Sequence, residues 1–155
     1  MKIILLIMMF LFSWEYNSVN RKLVSEEVET GFYFISKKES DVILKCDYQN
    51  KYYYIDPKPI LKTANFKTIE LRKETWPGLK WTYSLIIWLD DKGGEKWEEA
   101  TTRATNDRLE IVFILDNEII TVLGFFNPIT NGAAAIFGEH LSKEILISIK
   151  EKIGK

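Results

Sequence analysis

The side chains in this sequence whose type and spacing could do chemistry are few. His140 is the single histidine of 155 residues, with Glu139 before it and Ser142 just after it. A histidine general base needs a nucleophile within reach and a carboxylate to orient its ring. No nucleophile motif such as G-x-S-x-G surrounds these residues, so His140 reads as a residue at the start of a helix. Cys46 is alone, which rules out an intrachain disulfide, and no CxxC or Cys/His metal spacing occurs. It falls in the alternating stretch Val42, Ile43, Leu44, Cys46, where a cysteine behaves as a small buried apolar residue. Asp90, Asp91 and Glu95 form an acidic group, but calcium takes a larger, ordered set of oxygens than this spacing offers. Capping a helix and complementing its dipole explain these acids more simply. Gly93-Gly94 reads as a tight turn and not as a phosphate-cradling loop. No catalytic, metal-ligating or cofactor-binding residue is assigned, and the chain is read as a non-enzyme that needs no cofactor.

The aromatic residues carry a stronger signal. Tyr52, Tyr53 and Tyr54 are consecutive, and on a strand consecutive side chains point to opposite faces. One face of that strand can therefore present tyrosine to solvent, and exposed aromatic rings mark binding patches. The competing reading is cross-strand aromatic pairing with Phe32, Tyr33, Phe34 and Tyr48, which stabilises a sheet without binding anything. Phe125-Phe126, in a loop before Pro128, raise the same two readings. Tyr52, Tyr53, Tyr54, Phe125 and Phe126 are the candidate binding surface.

Positioning those residues requires a folded domain, and the composition supplies one. Hydrophobic residues make up 46% and charged residues 28%, which is a globular balance. The 21 basic and 22 acidic residues leave a net charge of −1, without the basic excess that phosphate neutralisation demands, so nucleic acid is excluded as a partner. Lys2 is followed by an apolar run, Ile3 to Phe12, and then a polar exit at Ser13 and Glu15. That is the plan of a secretory signal peptide, and it is short of the roughly 20 apolar residues of a membrane span. Cleavage near Ser13 or Ser18, retention as a signal anchor, and an ordinary buried segment are the three readings of residues 1–18. Residues 19–30 form a polar linker, and residues 31–155 a single domain.

Within that domain the periods are legible. Residues 31–36 read as a strand, 41–46 and 51–55 as a hairpin, and 67–73 as a further strand. Trp81, Tyr83, Leu85, Ile87 and Leu89 alternate with Thr82, Ser84, Ile86 and Trp88, and the second face turns apolar toward its end, which predicts a central strand. Trp97, Ala100, Thr101 and Ala104 define one face of a helix that starts at Asp90 or Asp91 and ends near Asn106. Leu109 to Leu115 and Glu118 to Leu123 make a hairpin around Asp116-Asn117. A short strand, Ala133 to Phe137, precedes a helix capped by Ser142 with Ile145, Leu146, Ile149 and Ile153 on one side. The expected fold class is α+β, a mainly antiparallel sheet with two helices on one face.

The segments Leu89 to Thr101, Leu109 to Ile120, Ile129 to Gly138 and Leu141 to Glu144 occur in the order, and with the acidic-glycine turn, Leu-Asp hairpin and glycine spacing, of a known family. Residues 80–152 resemble the head subdomain in the large periplasmic domain of SecD/SecDF protein-translocation proteins, with a weaker match from Tyr54 to Ile60. The resemblance implies a role outside the cytoplasmic membrane in contact with polypeptide. The transmembrane helices and intramembrane acids of the whole family proteins have no counterpart here, so a proton-driven motor is not implied. The expectation is an exported, non-catalytic binding module for protein or unfolded polypeptide, touching the membrane only through an uncleaved N-terminal segment. The alternative is a structural or inhibitor-like envelope protein with one folded partner.

Overall fold

A computed structural model of the chain describes residues 27–154, with Trp76, Leu79 and Trp81 excepted. The signal-like run, most of the linker and the first position of the long alternating segment lie outside the described residues. Nine strands and two helices follow in the order β1 (Gly31–Phe34), β2 (Val42–Cys46), β3 (Lys51–Ile55), β4 (Leu61–Lys62), β5 (Phe66–Lys73), β6 (Tyr83–Leu89), α1 (Asp91–Asp107), β7 (Ile111–Leu115), β8 (Glu118–Leu123), β9 (Ala133–Ile136) and α2 (Lys143–Ile153) among these residues. The class is α+β, as expected, and every strand pairing is antiparallel. The strands fall into three sheets, ordered β4-β1-β7-β8, β2-β3 and β5-β6-β9.

Local chemistry sets the elements. Asp116 and Asn117 both take positive φ, 51° and 66°, the mirror-image turn whose twist matches the strands it joins. Asp90 caps α1, its carboxylate accepting from the Gly93 amide at 2.6 Å. The expected face of that helix, Trp97, Ala100, Thr101 and Ala104, is buried. Gly93 and Gly94 lie inside the first turn of α1 and do not make the strand-to-helix turn assigned to them from sequence. Gly93 is needed there for close approach, since a Cβ would stand 2.8 Å from the Asp90 carboxylate and 3.0 Å from Asn65 Cβ. Ser142 caps α2 by accepting from the Ile145 amide at 3.3 Å. Leu146, Ile149 and Ile153 of α2 are buried, but Ile145, expected beside them, is 45% exposed. It sits on the shoulder of the apolar stripe, about 100° around the axis from Leu146.

Two cores share β1 and β7. Phe32, Leu85, Ile87, Trp97, Ile111, Phe113, Ile136, Leu146 and Ile149 belong to the larger, which lies against the helices. Tyr33, Val42, Leu44, Cys46, Tyr53, Ile55, Val112, Ile114 and Ile119 form the smaller, under the β2–β3 hairpin. Alternate residues of β7 therefore feed opposite cores, and all five of its positions are buried. β6 is the middle strand of its sheet, as its sequence indicates. No described helix is long and apolar enough to cross a membrane.

Candidate functional site

The tyrosine strand divides as its period requires. Tyr53 is buried in the hairpin core, its hydroxyl bonded to Gln49. It is therefore not a surface residue, contrary to the sequence reading, because it lies opposite Leu44 on the face of β3 that Ile55 shares, inside the smaller core. Tyr54 is half-buried beside Ile43, and only Tyr52, opposite Lys45, is well exposed, at 61%. Tyr48, in the turn between these strands, stacks face to face on His140 with centroids 3.7 Å apart. The Val122 amide donates to the Tyr48 hydroxyl at 2.9 Å, and His140 Nε2 donates to the Ile120 carbonyl at 2.8 Å. The pair thus covers the outer edge of β8. Burial pushes the Tyr48 hydroxyl well above the ordinary phenol range, and it raises Tyr33 to about 12, with the Glu29 carboxylate adding to the shift. His140 is placed as a structural donor, without a hydroxyl or thiol nucleophile bonded to it among the described residues.

Phe125 and Phe126 do meet one another's surroundings. Both line a groove of about 390 Å³ between the 124–129 loop and the β6–β9 strands. Phe125 is half-buried and sets its ring edge-on to Trp97, at 5.8 Å between centroids. Phe126 is 95% exposed. The opposite wall comes from the outer face of the sheet, where Ile86 and Trp88 stand beside Ala135 and Ala133 in the pairing register. None of the candidate tyrosines lines this groove.

The backbone adds to the apolar wall. Leu89 N–H donates to Gly132 O, so in this register even-numbered residues of β9 face β6 and odd-numbered ones face away. Phe137 O, next in that outward series, accepts from Thr121 Oγ1 at 2.8 Å, and Ala133 N–H is met by Asn131 Oδ1 at 3.1 Å. Among the described residues, the amide and carbonyl of Ala135 and the carbonyl of Ala133 have no backbone partner and face outward along a short edge. The three alanines Ala133, Ala134 and Ala135 leave the sheet faces beside that edge without long side chains. Sequence reasoning missed Ile86, Trp88, Ala133 and Ala135 as site residues. The signal was present in the apolar second face of β6, but it was read as burial within a sheet.

Asp90 is occupied as a helix cap, and no group of three or more His, Cys, Asp or Glu among the described residues is placed to hold a metal ion. What the groove and the neighbouring strand edge offer is apolar contact and strand-type hydrogen bonds.

No protein-family model and no curated protein matches this chain. Two solved structures do, each at 15% identity. The first, described as "a membrane component SecDF that enhances protein export", matches with a TM-score of 0.61 over 85% of this chain and 64% of its own. The second, SecDF in a "Super-membrane-facing form", matches with a TM-score of 0.54 over 76% of this chain and 17% of its own. The likeness seen in residues 80–152 thus reaches well upstream, since those residues are only about half of the chain. Over most of its length this chain has the fold of a SecDF domain.

Proposed function

We propose that this chain is an exported, non-catalytic module related to protein translocation, which holds extended apolar polypeptide in the groove beneath Phe126. The observation that carries this reading is a phenylalanine 95% exposed at the rim of an apolar groove that runs beside an open strand edge. A large aromatic ring left in water costs solvation free energy, and such rings are typical anchors of binding patches. A strand edge with unpaired groups supplies sequence-independent main-chain bonds, while the alanine wall accepts varied side chains. The SecDF-like fold and the signal-like residues 1–18 support action outside the cytoplasmic membrane.

Titration with an unfolded, apolar-rich peptide, followed by its fluorescence anisotropy, tests the proposal. Binding of several unrelated unfolded sequences, weakened by Phe126→Ser and by Ala135→Pro, is the expected result. Ala135→Pro removes an outward amide that the β6 pairing does not use. Absence of binding to every unfolded peptide, together with tight capture of one folded envelope protein, would replace it with the structural or inhibitor-like reading. N-terminal sequencing of the protein from cell fractions checks export separately. An intact Met1 in the cytosol would remove that part.

A further inference from the structure

The geometry points to a second binding edge, β5, whose partner is β5 of another copy of this chain. This inference does not depend on the peptide groove. The open edges of the three- and four-stranded sheets are treated very differently. β8 is covered by Tyr48 and His140, β9 is partly met by Asn131 and Thr121, and β4 is two residues long. β5 runs for eight residues at the margin of its sheet, with β6 on one side and no strand on the other among the described residues.

The outward groups of β5 follow from its pairing. Glu74 N–H donates to Thr82 O, and the register Arg72 to Ser84, Glu70 to Ile86 continues it, so even-numbered residues face β6. The amides and carbonyls of Ile69, Leu71 and Lys73 therefore point outward, and no backbone bond to them occurs among the described residues. A bulge between Phe66 and Thr68 ends the regular stretch on one side. A groove of about 790 Å³ lies along this strand, with Ile69 and Leu71 on one wall and Ile147 and Lys150 of α2 on the other. Ile147 is an exposed apolar residue at 37%.

Charge selects the occupant. In an antiparallel pair of β5 strands centred on Leu71, the outward groups of Leu71 meet themselves across a two-fold axis, and those of Ile69 meet those of Lys73. Glu70 of each copy then stands opposite Arg72 of the other at the close, non-hydrogen-bonded positions. Shifting the register by two residues places Glu70 against Glu70 in one direction and Arg72 against Arg72 in the other. The sequence of this edge is thus complementary to itself in one register. Ile69 and Leu71 bring their half-buried side chains, with Ile147, toward the same dyad. The interface is isologous and closes at two copies, joining two three-stranded sheets into one.

Sedimentation equilibrium of the full chain over a wide concentration range tests this. The expected result is a reversible monomer–dimer equilibrium, weakened roughly tenfold or more by Arg72→Glu or by Glu70→Arg. Mixing those two variants should restore dimers, because each then supplies the charge that the other lacks. Leu71→Pro, which deletes the central outward amide, should leave monomer with an unchanged circular dichroism spectrum. A wild-type chain that stays monomeric throughout overturns the proposal. So does a dimer that neither charge variant weakens, or a pair of weakened variants that mixing fails to rescue.

Discussion

The β2–β3 hairpin and the groove under the 124–129 loop are both rich in aromatic rings, and they use them in opposite ways. In the hairpin the rings are consumed by the fold: Tyr53 fills the smaller core, and Tyr48 stacks on His140 to cover β8. In the groove Phe125 leans on Trp97 while Phe126 is left in solvent. Aromatic content alone therefore does not mark a binding surface. What separates the two regions is whether the ring's apolar area already has a partner within the chain.

The strongest way to break this contrast is at Trp97, which serves both the core and the groove. Trp97 is buried against Phe32, with ring centroids 4.9 Å apart, and also lines the groove. Trp97→Ala should lower unfolding free energy by about 3–5 kcal/mol in urea titration. Trp97→Phe should cost much less, since Trp97 Nε1 has no hydrogen-bond partner among the described residues to lose.

On the hairpin side the corresponding probe is pH. Tyr33 has its phenol raised to about 12 by burial and by Glu29. The unfolded phenol titrates near 10, so between about pH 10 and 12 the unfolded state holds fewer protons at this site and stability falls as pH rises. The stabilisation is fully present below about pH 10. The slope from this group cannot exceed about 1.4 kcal/mol per pH unit, and Tyr33→Phe should remove it from the measured profile.

A smaller effect is expected at the edge cover. Tyr48→Phe keeps the ring over His140 but takes away the acceptor for Val122 N–H, a loss of about 1 kcal/mol with faster exchange of that amide. The comparison is sharpest where stability should not change. Phe126→Ser and Tyr52→Ser should each stay within about 0.5 kcal/mol of wild type in denaturation. They should part company in peptide titration, where only the first weakens binding. Equal loss of binding in both would return the hairpin to the candidate surface.

The C-terminal half was the more legible because its signals are local. Alternation in β6 and β7, the Asp116-Asn117 turn and the caps at Asp90 and Ser142 each depend on residues a few positions apart. The upstream half was harder, since β1 pairs with the distant β7 and with β4, which is only two residues long. Of the candidate site, Phe125 and Phe126 were legible as aromatic residues in a loop. Their opposite wall was not, because Ile86 and Trp88 look the same whether a sheet face is covered by its own chain or left open.

By itself the sequence determined the class of the fold, the main elements, and their caps and turns. These follow from backbone sterics and short-range hydrogen bonds, which neighbouring residues settle among themselves. Tertiary structure alone decided that Tyr53 turns inward while Tyr52 does not, and that Tyr48 and His140 meet to cover β8. It also decided that the outer face of β6 borders a groove, and that β5 has no strand on its outer side among the described residues. Those outcomes depend on which distant segment covers a given face, and burial is a property of the assembled surface, not of the residue that carries it.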